Sequence, residues 1–334
     1  MSDEPTAESE APAKPAWRSV LLRVGVTALT LGLWYWLADV PWEDLKDAVR
    51  RIHLSTLGWA TALACVNLCI GAFRWRVLMK AYGAVTLPPF TRMVRLYFVG
   101  IFFNTFIPAN VGGDLLRGHI TRRAFPGAAS GYLVVILERV FGLAGLMLLA
   151  GLVLLIHPIE ELAGSRWLGL LGFVAALGAA SAPAIIRFFG GRLPGKLGEI
   201  ARGAPTLERP ALVVAVLALS LVTQGLVAVG GHLFVADLDP SVPLTASLVL
   251  VPVGLVSIYL PTIAGLGARE ASFVVLFGMV GVAEADATAA ALGVLATTLL
   301  TAVIGGVALL QGRMQGDEED GEALADAPSD TVES

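Results

Sequence analysis

The chain has 334 residues, of which 56% are hydrophobic and only 15% charged, a balance that excludes a soluble globular domain. Its net charge of −4 conceals a segregation. Asp3, Glu4, Glu8 and Glu10 precede residue 17, and eight more acids follow residue 315. Against them residues 1–17 and 316–334 hold one base, Lys14, which leaves the rest with 22 Lys and Arg against 15 Asp and Glu. The tails, 1–17 and 313–334, read as disordered and solvated. No basic stripe points to nucleic acid.

In chain order, apolar runs of the ~20 residues that cross a bilayer core lie at about 18–38, 54–73, 128–156, 167–189, 211–235 and 287–311. The run from Arg18 to Trp36 resembles a signal peptide in charge, but it lacks a small-residue cleavage site and reads as the first span. Residues 39–53, containing PWEDLKDAVRRI, predict an amphipathic surface helix. Two further segments, 96–120 and 247–283, are apolar but interrupted by a proline followed by glycines. Each divides into arms too short to span, so both are expected to be re-entrant helical hairpins. The predicted fold is thus an all-α integral membrane protein with about six full transmembrane helices and two re-entrant hairpins, about eight membrane segments, within one domain over 18–312.

Orientation follows from the basic residues of the short loops. The 74–95 connection holds Arg74, Arg76, Lys80, Arg92 and Arg95, and the 187–209 connection is similarly basic, so both are expected on the cytoplasmic side. The 236–246 connection has no Lys or Arg and is expected outside. Both termini then come out cytoplasmic, in a multi-pass protein of the cell membrane. Under this topology residues 18–156 and 167–311 form inverted halves. Their hairpins correspond: Pro108 to Gly112 and Pro261 to Gly265 are both four residues, and Pro108 to Arg117 and Pro261 to Glu270 are both nine. Inverted repeats with helices broken at corresponding positions place transporter sites near the membrane midplane.

Six ionisable residues, Asp114, Arg117, Glu138, Arg139, Arg269 and Glu270, fall within these membrane segments. At roughly 2.5–3.5 kcal/mol each, unpaired, they would exceed the stability of most domains, so they must pair or line a wet cavity. Glu138 and Arg139 point about 100° apart on a helix and need partners elsewhere. A cluster of all six at the hairpin tips, with the 128–156 helix behind it, is the simplest closure. The plainer reading is buried ion pairs that only fix packing. The functional one adds the helix starts after the glycines, where Asp114 and Arg269 stand near free N–H groups that attract anions. Arg117 and Arg269 would then grip a phosphate. Asn104, Asn110, Asn67, Gln224 and Tyr259 are weaker polar candidates, because lone polar residues in spans commonly bridge helices.

Other chemistry finds no support. Cys65 and Cys69 read as packing residues, and His53, His119, His157 and His232 show no metal-ligand spacing, so no metal or cofactor is expected. No nucleotide-binding or hydrolase motif stands in a credible context.

Four stretches together, RWRVLMKAYG at 74–83, GIFFNTFIPANVGGDLLRG at 100–118, ILERVFG at 136–142 and LPTIAGLGARE at 260–270, resemble the membrane region of lysylphosphatidylglycerol synthase and its stand-alone flippase-like relatives. The resemblance covers nearly all of 18–312. It implies a lipid-handling role for Asn104, Gly112, Gly113, Asp114, Arg117, Glu138, Arg139, Gly265, Arg269 and Glu270, and the Gly267 break belongs to the same tip. About 22 residues follow Gly312, so a synthase domain, and with it aminoacyl transfer, is not expected. The function expected is a lipid flippase or transporter, not an enzyme, that moves an anionic phospholipid or lipid-linked glycan between leaflets. Two alternatives stand beside it: a membrane-embedded enzyme acting on lipid-linked substrates, and a non-catalytic partner of a lipid-modifying complex. Lipid identity and oligomeric state are not legible.

Overall fold

The computed structural model describes residues 40–106, 112–157, 159, 167–190, 204–256 and 267–325. The first expected span, 18–38, the N-terminal tail, Pro108, Asn110, Tyr259, Pro261 and Gly265 lie outside them. Every regular element among the described residues is helical. In chain order these are α1 (Trp42–Arg51), α2 (Leu54–Ala81), α3 (Phe90–Phe106), α4 (Gly112–Thr121), α5 (Ala128–Ile156), α6 (Leu168–Gly190), α7 (Ala211–Leu238), α8 (Leu244–Leu255), α9 (Ala268–Gly278) and α10 (Glu284–Ala325).

Five of them, α2, α5, α6, α7 and α10, are long and apolar enough to cross a membrane. They match the five expected spans that fall on described residues. Their apolar side chains do not all turn inward: Leu170, Phe173, Val174 and Leu177 of α6, and Val303 and Val307 of α10, are exposed. Apolar surface of this extent is stable facing lipid and not facing water. The protein is a multi-pass membrane protein.

Four of the remaining helices come in packed pairs. Helices α3 and α4 pack together, as do α8 and α9. The first pair starts earlier than expected, at Phe90 and not near Leu96, because FTRMVRL continues the helical pattern upstream. Gly113 makes the α3 and α4 crossing possible. A Cβ there would stand 2.2 Å from the carbonyl oxygen of Gly100, so only a glycine lets the two backbones meet. At the start of α9, Gly267 adopts φ +80°, a left-handed conformation that glycine tolerates without strain.

Two apolar cores hold the bundle. Trp75, Leu78, Tyr82, Met93 and Phe141 centre the first, joining α2, α3 and α5. Phe234, Leu250, Phe273 and Phe277 centre the second, joining α7, α8 and α9. The surface helix expected at 39–53 is α1, and polar contacts fasten it to the far end of the bundle. Arg51 donates to the Leu238 carbonyl at 3.1 Å and pairs with Asp286, while the His53 N–H donates to Asp237 at 3.0 Å.

Candidate functional site

Helix α2 does not stop near residue 73. It runs to Ala81, because Trp75, Leu78 and Met79 continue its buried face into the first core. This corrects the placement of Arg74 in a cytoplasmic connection: Arg74 is buried inside the bundle. Its guanidinium donates to Glu138 at 3.3 Å, and to Ser220 and Thr223 of α7 at 3.2 Å each.

From Arg74 a chain of alternating charge crosses three helices. Glu138 on α5 accepts from Arg74 and, at 2.9 Å, from Arg117 on α4. Arg117 donates its other terminal nitrogen to Asp114 at 2.6 Å, one turn back on the same helix. Asp114 also accepts from Arg139 of α5. Glu138 and Arg139 diverge around α5 and find separate partners from α4, as their helical phase requires.

Aromatic rings complete the burial of Arg117, which lies 4.5 Å over the Tyr97 ring and 5.1 Å over that of Trp75. The guanidinium thus meets two adjacent ring faces while its N–H groups make the ion pairs. Tyr97 donates its hydroxyl to Glu138. Asn104 is the N-terminal cap of α4 from α3, its side-chain oxygen accepting the Gly113 N–H at 2.8 Å. Gly112 opens that same turn.

A cavity of about 370 Å³ opens along this chain. Arg74, Asp114, Arg117, Glu138 and Arg139 all line it, with Asn104 and Gln224. Among the described residues of the wall three guanidiniums face two carboxylates, a surplus of one positive charge. Arg139 is the most accessible member, its side chain 30% exposed, whereas that of Glu138 is 2% exposed.

The second short-helix pair does not complete this cluster, which corrects the expected closure of six. Arg269 pairs with its own neighbour, Glu270, at 3.1 Å, and Glu270 also accepts the Gly267 N–H at 2.6 Å. The Glu270 carboxylate is thereby spent on capping α9 and neutralising Arg269. Both are buried, and neither is among the described residues that line the cavity. Pro252, Leu255 and Val256, at the end of α8, line it instead.

Four of the six charges singled out in the sequence are therefore brought together, and Arg74, Tyr97 and Trp75 join them unforeseen. The signal for Arg74 was present: the apolar run of α2 resumes after it, which marks Arg74 and Trp75 as residues within a helix and not past its end. A family model described as the lysylphosphatidylglycerol synthase TM region matches residues 20–306. Among curated proteins no significant match is found.

Proposed function

The chain belongs to the lysylphosphatidylglycerol synthase TM region family, and on that premise we propose that it is a non-enzymatic lipid flippase or transporter for a lipid with an anionic head group. The observation that carries this reading is the surplus positive charge on the wall of the 370 Å³ cavity. A phosphate entering there meets Arg139 first, gains charge-assisted hydrogen bonds, and leaves its acyl chains in the bilayer. Arg74 and Arg117 hold the field behind it, with Asp114 and Glu138 setting their positions. Asn104, Gly112 and Gly113 shape the mouth at the start of α4. Gly267, Arg269 and Glu270 form the corresponding turn of the second pair at the start of α9, and act by positioning it.

The short pairs fit re-entrant hairpins. At ~1.5 Å per residue, α4, α8 and α9 extend about 15–18 Å, half of a ~30 Å hydrocarbon core. With the 82–89 connection and the flanking Arg76, Lys80, Arg92 and Arg95 inside, the two halves are inverted and both termini face the cytoplasm of the cell membrane. Each carboxylate of the cluster already accepts from two cationic donors, which favours head-group binding over acid–base chemistry. In this reading the lipid comes from a lipid-modifying enzyme in the same membrane.

Native mass spectrometry of the detergent-purified protein tests it. The wild type retains an anionic or glycan-linked lipid class, and Arg139→Gln, folded to the same extent, retains it about tenfold less well. Retention of no selective lipid by either protein would sink the proposal.

A further inference from the structure

A second cavity, of about 140 Å³, lies between α2, α7 and α10. Val227 and Leu255 wall both it and the charged cavity. Its described polar lining is one amide, Asn67 of α2, and three hydroxyls, Thr297, Thr298 and Thr301 of α10. A threonine hydroxyl has one hydrogen to donate and two lone pairs. Here each hydrogen is committed to the helix backbone, Thr297 donating to the Gly293 carbonyl at 3.1 Å, Thr298 to that of Val294 at 2.9 Å and Thr301 to that of Thr297 at 3.0 Å. What the three hydroxyls can offer the cavity is lone pairs. The side-chain oxygen of Asn67 is buried and has no hydrogen-bond partner.

We propose that this cavity binds a small monovalent cation, Na⁺ or K⁺, through Asn67, Thr297, Thr298 and Thr301. Neutral hydroxyl and amide oxygens are hard ligands suited to such ions, and without a carboxylate the described lining lacks the charge that divalent sites use. The volume also admits waters, at ~30 Å³ each, to complete coordination.

The neighbouring charges make the site conditional. Asn67 and Arg74 lie seven residues apart on α2, about 10 Å along the helix. The surplus positive charge of the head-group cavity repels a cation when that cavity is empty, and a bound phosphate of one negative charge cancels it. At an effective dielectric of about 20 the lost repulsion is worth on the order of tenfold in affinity. By linkage the cation raises phosphate affinity by the same factor. This coupling rests on the head-group reading above; the cation site itself stands on its own oxygens.

The test is the thermal unfolding midpoint of the full chain in detergent containing dioleoylphosphatidic acid, titrated with NaCl, KCl or choline chloride at constant ionic strength. A saturable rise with Na⁺ or K⁺ but not choline is expected, and Thr297→Val with Thr301→Val abolishes it while Thr301→Ser retains it. Equal curves in all three salts, or a rise that survives the double substitution, overturn the site. If the double variant does not fold, Asn67→Leu, which removes the unpartnered oxygen, carries the same comparison. The readout needs no transport, so a failed cation site leaves lipid retention unchanged and a failed head-group reading leaves the alkali response visible.

Discussion

Glu138 accepts from Arg74, Arg117 and Tyr97 at once, so neutralising it leaves buried Arg74 without a carboxylate and Arg117 with Asp114 alone. Breaking a buried ion pair from one side costs about 3–5 kcal/mol, most of it the uncompensated charge left behind. Glu138→Gln is therefore expected to lower the thermal unfolding midpoint sharply. Arg139 behaves differently, because its side chain is partly exposed and Asp114 retains Arg117 as a partner. Arg139→Gln should cost about 1 kcal/mol or less in stability while losing lipid. Equal destabilisation by the two substitutions in the same unfolding measurement would show that the chain of charges is structural throughout. At this scale the sequence disclosed that the charges must pair, since hydropathy places them in the membrane. It did not disclose the pairs, because Arg74 and Glu138 are 64 residues apart and Arg117 and Glu138 are 21 apart.

At the scale of elements, the crossing of α3 on α4 depends on the missing side chain of Gly113. Gly113→Ala forces its Cβ onto the Gly100 backbone, which has no flexible atom to yield, and is expected to destabilise by about 1–3 kcal/mol. Gly225→Ala on α7 is the internal control: open space surrounds that Cβ, and replacing a helical glycine should raise stability by about 0.5–1 kcal/mol. Denaturation of the two variants side by side should move in opposite directions. Long helices were legible because apolar runs of full span length have few other readings. Short ones were less so: the arm ending at Phe106 begins at Phe90, inside a stretch whose arginines suggested a loop. Charge argued for water there, while burial of Met93 and Leu96 argued for helix, and packing prevailed.

For the whole molecule, sidedness is the decisive property. In a Cys65→Ser, Cys69→Ser background, a single cysteine at exposed Val85, between α2 and α3, should react with an impermeant thiol reagent only from the cytoplasmic face. One at exposed Ser241, between α7 and α8, should react only from outside. Labelling of both from one side would refute the inverted arrangement. The sequence by itself determined an all-helical membrane protein, because only helices satisfy their own backbone in hydrocarbon and the apolar runs have that length. Proline by itself did not mark the helix ends, since Pro183 and Pro252 lie inside α6 and α8. Tertiary structure alone decided which charges meet, that Arg74 joins them, and that Arg269 and Glu270 stand apart as their own pair. Ion pairing is a matter of distance in space, and the partners are brought together by helix packing that no local pattern encodes.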